Sequence, residues 1–301
     1  MSSGTKTISP SDISQPELHA YLLTAVAPRP ICFASTIDAA GNVNLSPFSF
    51  FNVFSSNPPV MIFSPSRSGR DGSLKHSHQN VIEIPEVVIN IVNYAMAEQM
   101  SLASTAYDKG VNEFTKAGFT EVKSQLVKPP RVGEAPVSFE CTVTDVIELA
   151  DTPGAGNLVI AEVKLMHINE DYLDENGKLD TQKLDLVGRM GGSWYTRSNG
   201  DSLFEIPKPI RNKGIGVDSL PASVRNSTVL TGNNLGRLGN LEQLPTREAI
   251  IAIQANEEVL ALQNEFDGNW EVLRKNTHDL AKSWLDAGKS VDALSLLFIR
   301  E

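Results

Sequence analysis

The sequence predicts an α+β protein, mainly β in its first two thirds and helical in its last third. Short runs rich in β-branched and aromatic residues, bounded by glycine, proline or asparagine, indicate strands up to Phe204. Beyond that residue a linker-like stretch rich in proline and glycine precedes apolar residues at helical spacing through 246–301. We therefore expect one domain at residues 1–205 and a linker with a helical C-terminal extension at 206–301.

Turn signals separate the predicted strands. Gly41 and Asn42 suit the positive φ that a hairpin turn requires, and Asn57-Pro58-Pro59 indicates a second turn. Glu140 lies in the middle of a strand, where a lone glutamate is expected to face solvent. The predicted strands are 31–37, 60–63, 87–92, 138–148 and 156–168, and a helix is expected to begin near Lys75.

Charge and cysteine content limit the classes of partner. A net charge of −10 argues against a general binder of nucleic acid or anionic membranes, although a few local cations still suffice for a phosphate-bearing cofactor. Cys32 and Cys141 lie in apolar strand-like segments and are expected to be buried thiols. Because the sequence has no 18-residue apolar run and begins with polar residues, we expect a cytoplasmic protein that spans no membrane.

An unusual segment, Ser46-Pro47-Phe48-Ser49-Phe50-Phe51-Asn52, interleaves aromatic and hydrogen-bonding side chains. Such a surface suits a flat aromatic ligand that carries a phosphate. From the residues alone, a hairpin whose aromatic side chains are simply core is the alternative.

A polar, glycine-bearing loop follows at residues 66–75 and leads into a helix. Arg67, Arg70 and Lys75 supply positive charge, and Ser66 and Ser77 supply hydroxyl groups. Helix N-termini attract anions, so this loop is a candidate phosphate site. A solvated basic loop is the alternative.

Several motifs recur in register with one known family. They are PRPI at 28–31, N-x-SPFSFFN at 44–52, Lys75-His76-Ser77-His78-Gln79-Asn80, GV-x-EF at 110–114 and R-x-GG-x-x-Y at 189–195. Over roughly residues 18 to 205 the chain resembles the flavin reductase-like FMN-binding split barrels of the flavoredoxin type. The resemblance implies a six-stranded antiparallel Greek-key split β-barrel that forms a homodimer with FMN at the interface.

The same resemblance assigns cofactor-binding residues but no catalytic side chain and no metal. His76 replaces the acid of the family's Lys-Asp-Thr-x-x-Asn pattern, so the role of that acid is open here. Arg189 is expected either to pair with a buried carboxylate or to approach the flavin. The implied isoalloxazine-lining residues are Ser35, Thr36, Pro47, Phe48, Ser49, Phe50 and Phe51; the implied phosphate site comprises Ser64, Ser66, Arg67, Arg70, Lys75 and Ser77, with Asn80 completing the motif.

The function implied is an FMN-dependent oxidoreductase with NAD(P)H as transient reductant. Hydride transfer to flavin N5 needs no side-chain acid or base, and the sequence has no G-x-G-x-x-G nicotinamide domain of its own. Two alternatives remain open: a non-enzymatic FMN electron carrier that exchanges electrons with a partner protein, and a cofactor-free interaction protein on the same barrel.

Overall fold

The protein is described by a computed structural model covering residues 4–207 and 212–299. The chain divides into two compact units, Met1–Phe204 and Glu205–Glu301. Residues 1–3 of the polar N-terminus and residues 208–211 of the expected linker lie outside the described residues. Among the helices that the structure describes, none is long and apolar enough to cross a membrane.

The first unit is built around strands, with short helices between them. Its strands are β1 Cys32–Ile37, β2 Val43–Phe48, β3 Phe51–Ser56, β4 Pro59–Phe63, β5 Glu86–Ile91, β6 Glu121–Val122, β7 Arg131–Val132, β8 Val137–Glu148, β9 Asn157–Ile168, β10 Leu186–Arg189 and β11 Tyr195–Ser198. Its helices are α1 Gln15–Ala25, α2 His76–Glu83, α3 Ala97–Leu102, α4 Glu113–Ala117 and α5 Thr181–Leu184.

The main sheet is antiparallel and has the strand order β2-β1-β5-β8-β9-β4-β3. This confirms the expected α+β class, but the sheet has seven strands rather than the predicted six. The difference arises because residues 51–56 form a separate edge strand, β3, which pairs with β4 from Phe51 opposite Phe63 to Ser56 opposite Pro59.

The two faces of the sheet carry two separate cores. Because side chains alternate along a strand, Phe33 packs with Leu45 and Phe114 on one face, while Cys32 packs with Phe63 on the other. The second core, which we call the α2-side core, also includes Val81 of α2. Both cysteines are buried and free, as expected, and burial raises the pKa of the Cys141 thiol to about 12.

The second unit is helical, which confirms the predicted C-terminal extension. Its core includes Val259, Trp284 and Leu285 from the predicted apolar stripe. Trp270, at the first position of its helix, is 63% exposed. The helices are α6 Ala222–Arg225, α7 Gly232–Gly239, α8 Arg247–Gln254, α9 Glu257–Glu265, α10 Trp270–Asp286 and α11 Ser290–Leu297.

Candidate functional site

Helix α2 is fastened to strands β1 and β2 by buried amide and hydroxyl groups. Asn80 Nδ2 donates to Thr36 Oγ1 at 3.1 Å, and Asn44 Nδ2 donates to Ser77 Oγ at 2.9 Å. Thr36 and Asn44 are directly opposite in the β1–β2 pair and share one face of the sheet. These hydrogen bonds bring three predicted site residues, Thr36, Ser77 and Asn80, together and hold the N-terminal turn of α2 in place.

The loop after β4 is tied to the start of β9. Ser64 Oγ accepts a hydrogen bond from the Asn157 backbone N–H at 3.1 Å, and Asn157 Nδ2 donates to the Pro65 carbonyl at 2.9 Å. Asn157 is fully buried. A Cβ on Gly156 would lie 3.1 Å from Ser64 Oγ, so a glycine is what permits this close approach.

Arg67 holds the same loop from its other side. Its Nη2 lies 2.6 Å from Glu148 Oε2, and its remaining nitrogens donate to the Ala150 and Gly72 carbonyls at 3.3 Å. The predicted role of Arg67 was to hold a phosphate, whereas the guanidinium here already has a carboxylate partner. Arg67 is therefore positioned to shape the loop.

His78 on α2 is buried beside this ion pair. Its Nε2 lies 3.5 Å from Glu148 Oε1, yet neither ring nitrogen makes a hydrogen bond with the described residues. Burial lowers the pKa of His78, Glu148 opposes this shift, and Arg67 adds to it. The neutral imidazole is thus favoured, with a hydrogen-bonding capacity that no described protein group uses.

Buried polar atoms without partners gather around this loop. Within residues 4–207 and 212–299, seven buried side-chain polar atoms lack a hydrogen bond, and four of them belong to this loop and its neighbours: Ser66 Oγ, Asn157 Oδ1 and both His78 nitrogens. The other three are on Ser35, Asn93 and Arg131. Buried polar groups in folded proteins are nearly always satisfied, so a cluster of exceptions calls for another partner such as water or a ligand. We call these four atoms, on Ser66, Asn157 and His78, the unsatisfied cluster.

Positive charge lies next to the cluster along the chain. Arg70 and Lys75 are exposed, and neither side chain forms a hydrogen bond or ion pair in the part of the chain that the structure describes. Lys75 is also the N-cap residue of α2 and makes no side-chain cap. The first turn of α2 therefore offers backbone N–H groups and the positive end of its dipole to an anion.

Comparisons with known proteins identify the family and the fold of the chain. The family model described as "Flavin reductase like domain" matches residues 25–183. An uncharacterized protein from Aquifex aeolicus (strain VF5) is 36% identical over 189 residues, covering 63% of this chain and 94% of that protein. The structure is similar to nitrilotriacetate monooxygenase component B from Bacillus cereus (TM-score 0.63, 25% identity), covering 68% of this chain and all of that one. It is also similar to a split barrel domain from Shewanella frigidimarina NCIMB 400 (TM-score 0.57, 23% identity), covering 68% of this chain and 100% of that chain.

The chain belongs to the flavin reductase-like family. The resemblance carried by the sequence motifs is thereby confirmed, together with the split-barrel fold. Membership of this family makes the protein a flavin-associated oxidoreductase at the level of its class.

The predicted isoalloxazine-lining residues of this flavin reductase-like chain do not share one face. Thr36, Phe48 and Phe51 lie on the side of the α2-side core, where Phe48 and Phe51 pack against it. Ser35 and Pro47 are opposite Leu45 and Phe33 and so face the other core. Ser49 and Phe50 occupy the β2–β3 turn, where Ser49 Oγ accepts from Arg29 Nε at 3.5 Å and Phe50 is 41% exposed.

One buried arginine that sequence reasoning missed, Arg29, joins separate elements of the flavin reductase-like unit. Arg29 is 6% exposed and donates to the Leu23, Val26 and Met190 carbonyls, which joins the end of α1 to the end of β10. Its place between two prolines in the PRPI motif was the available signal.

Glu140 was expected to face solvent and is instead fully buried, so that prediction is wrong. Its carboxylate accepts backbone hydrogen bonds from Gln125, Leu126 and Val127 and lies 2.7 Å from His167 Nε2. The loop at residues 123–130 covers this part of β8 and supplies these donors. The hydrogen bonds lower the pKa of Glu140 although burial raises it.

The two residues whose roles were left open have identifiable surroundings. Arg189 Nη2 donates to the Gly192 carbonyl at 2.6 Å, and its guanidinium stacks 4.5 Å from the Tyr195 ring centroid. Its contacts in the described residues therefore involve neither a buried carboxylate nor the unsatisfied cluster. His76 is half-buried, and burial, Lys109 and Lys75 lower its pKa while Asp108 opposes them.

Proposed function

We propose that this protein binds FMN and catalyses electron transfer from NAD(P)H through it. The observation that carries the proposal is the conjunction of unsatisfied buried polar atoms with an unpaired cation, Lys75, at the N-terminus of α2 and a second, Arg70, five residues before it in the chain. Ser66, Asn157 and His78 offer unused hydrogen-bonding atoms, while Lys75 and Arg70 offer charge that no described residue neutralises. A ligand with a polyol chain and a terminal phosphate would satisfy both sets.

The phosphate is assigned to the first turn of α2. Lys75 and Arg70 supply charge, and the uncapped N–H groups of α2 supply directed donors. Ser77 Oγ already accepts from Asn44, which fixes that hydroxyl and leaves its proton available for donation. The hydrogen bonds from Asn80 to Thr36 and from Asn44 to Ser77 hold the turn in place, so binding needs to order little of it.

The role of the protein in the reaction is to bind and orient. When bound, FMN would supply the acceptor for the hydride of the reduced nicotinamide. Phe48 and Phe51 are half-buried and present an apolar surface beside the α2-side core, whereas Thr36 is fully buried under α2. None of the described side chains on that surface is required as an acid or a base for hydride transfer.

An anaerobic titration tests the proposal. The full chain is incubated with FMN, passed through gel filtration, and then mixed with NADH or NADPH while the flavin absorbance is followed. We expect co-elution of flavin and protein, and loss of the oxidised flavin bands on addition of one or both nicotinamides. Retention without bleaching would favour the electron carrier, whose reductant is a partner protein. Neither retention nor turnover with excess FMN would leave the cofactor-free interaction protein.

We further propose that the protein is a homodimer formed through its first unit. Helix α1 has no buried residue, and β3 is an edge strand with outward apolar side chains. Leu22, Val26, Val53 and Phe54 are 53%, 63%, 58% and 64% exposed. A ring contact joins His19 of α1 to Phe50, which lies in the turn immediately before β3. Contiguous apolar surface with an open strand edge is typical of an interface.

Light scattering on the purified chain tests the dimer. We expect twice the chain mass for the unmodified protein and a shift to one chain mass for Phe54→Asp, which places a charge within the patch. A monomer at micromolar concentration would contradict the proposed dimer. The free state of both cysteines is compatible with the cytoplasm, which we keep as the proposed compartment.

A further inference from the structure

The helical unit contains a cavity that has no part in the proposed flavin chemistry and lies beyond the family match at residues 25–183. Its volume is about 240 Å³. Helices α9, α10 and α11 supply its apolar wall: Val259, Leu262, Leu273, Leu296 and Leu297. Drug-sized ligands occupy pockets of about 300–1,000 Å³, so this cavity suits a smaller apolar body.

The cavity adjoins a second, more polar opening of about 640 Å³. Both are lined by Ser223, Arg274 and His278. Lys275 and Glu271 also line the outer opening, so its charged lining within residues 212–299 consists of two cations and one carboxylate. One end of the combined space is therefore apolar and the other carries net positive charge.

Arg274 is the cation best placed to serve both spaces. It lies on α10 one residue after the buried Leu273, which faces the apolar cavity, and its own side chain is exposed. In residues 212–299, no hydrogen bond or ion pair engages its guanidinium. A planar guanidinium matches a carboxylate with two parallel hydrogen bonds, which a lysine cannot do.

His278 and its neighbours give the junction a fixed polar wall. His278 is 6% exposed, and its Nδ1 lies 2.8 Å from Ser227 Oγ, which in turn accepts from the Val229 and Leu230 N–H groups. Thr277 Oγ1 donates to the Leu273 carbonyl within α10. These hydrogen bonds hold the polar side of the junction in place between the apolar chamber and the charged opening.

We propose that the helical unit binds a small amphipathic carboxylate, with its aliphatic body in the apolar chamber and its carboxylate on Arg274. Apolar walls favour the hydrocarbon, and the modest volume limits its length. Lys275 adds to the attraction at the outer opening, and Glu271 opposes it. The net effect selects an anionic head over a neutral or cationic one.

The probes for the test are sodium octanoate, 1-octanol and sodium butanoate, each titrated into the full chain by isothermal calorimetry. We expect saturable one-to-one binding of octanoate. Octanol has the same chain without the charge, and butanoate has the charge on a short chain. Each is expected to bind at least about tenfold more weakly, because each lacks one half of the recognition.

Two variants test the contact of the carboxylate with Arg274 and the apolar chamber separately. Arg274→Gln is expected to weaken octanoate binding about tenfold or more while leaving octanol binding unchanged. Leu262→Trp fills the chamber from a half-buried position and is expected to abolish binding of both. Arg247→Gln removes an exposed arginine of α8 outside the cavity and serves as the control, with octanoate binding unchanged.

Absence of saturable octanoate binding to the unmodified chain would overturn the proposal. Equal affinity for octanoate and octanol, with no effect of Arg274→Gln, would overturn it as well. Arg274→Gln changes only an exposed side chain, so the test stands even if Leu262→Trp fails to fold. None of these measurements involves flavin, so their outcome is independent of the proposed FMN activity.

Discussion

Two buried polar regions of the first unit differ in how completely their hydrogen bonds are made. At Glu140, three backbone N–H groups and His167 surround one carboxylate. At the unsatisfied cluster, Ser66, Asn157 and His78 keep buried atoms that no described residue satisfies. Both regions are polar and buried, yet only the second has capacity left over.

This difference distinguishes polar groups that stabilise the fold from polar groups that await a ligand. A carboxylate that organises a loop uses all its lone pairs on the protein, and losing it would leave several N–H groups buried without partners. A binding site keeps donors and acceptors in place by other contacts, as Asn157 is kept by Ser64 and Pro65. Four predictions test whether the two regions differ in this way.

The largest expected effect is on stability, from Glu140→Ala. The variant would leave three backbone N–H groups and His167 without their acceptor, so we expect a loss of about 3–5 kcal/mol in the free energy of unfolding of the first unit. Urea unfolding followed by circular dichroism measures it. Glu162→Ala is the matched control, since Glu162 is also in mid-strand but pairs with Lys164 at the half-exposed surface. The free energy of unfolding should fall by less than about 1 kcal/mol in Glu162→Ala. Equal effects of the two variants would remove the contrast.

Next to the unsatisfied cluster, removing a positive charge should weaken FMN binding and leave the stability of the fold unchanged. Lys75→Gln and Arg70→Gln each remove an exposed cation with no protein partner, so we expect FMN affinity to fall roughly 10- to 100-fold while the unfolding midpoint stays unchanged. Lys178→Gln, in the tight turn at 174–178, is the control for loss of one positive charge. Fluorescence titration of FMN measures the affinities. The assignment of the phosphate would be wrong if all three variants weakened binding equally.

The lowered pKa of Glu140 predicts an acid-side loss of stability. A carboxyl with a folded-state pKa below its unfolded value, about 4.3, contributes stability above that pH and loses it as pH falls through the folded pKa. We therefore expect the unfolding midpoint of the unmodified chain to drop more steeply below about pH 4.3 than that of Glu140→Gln. Parallel pH profiles would show that the surrounding N–H groups do not favour the charged form.

The smallest change in stability is expected at Glu113, a buried carboxylate that accepts fewer hydrogen bonds than Glu140. Glu113 is 3% exposed, and burial raises its pKa because the backbone hydrogen bonds from the N–H groups of Leu45 and of Glu113 itself do not compensate. The sign is opposite to that of Glu140, so its contribution is full below the unfolded pKa and declines as pH rises through the folded pKa. Glu113→Gln should change stability at pH 7 by no more than about 1 kcal/mol and should gain relative to the unmodified chain as pH rises. A loss as large as that of Glu140→Ala would contradict this reasoning.

Local patterns in the sequence predicted elements and motifs well. The strands, the hairpin turn at Gly41 and the start of α2 follow from β-branched runs, turn residues and helix signals that act over a few residues. Ser77 and Asn80, which both belong to the motif at residues 75–80, form hydrogen bonds with strands β2 and β1. Burial of Val259 and Trp284 follows from helical spacing in the same local way.

What could not be predicted depends on contacts between distant residues. Arg67 meets Glu148, which is 81 residues away, and nothing near Arg67 in the sequence signals that partner. Glu140 is buried because residues 123–130 cover it, which strand alternation does not reveal. The separation of Ser35 from Thr36 onto opposite faces was readable from alternation, but the resemblance grouped them as one surface.

The most direct test of the central claim compares FMN with riboflavin on the full chain. The two ligands share the ring and the polyol and differ in the phosphate assigned to Lys75, Arg70 and the first turn of α2. We predict that FMN binds at least about tenfold more tightly than riboflavin, and that the double variant Lys75→Gln/Arg70→Gln largely abolishes this preference. Equal affinities for the two flavins in the unmodified chain would contradict the phosphate site, and with it the account of the unsatisfied cluster.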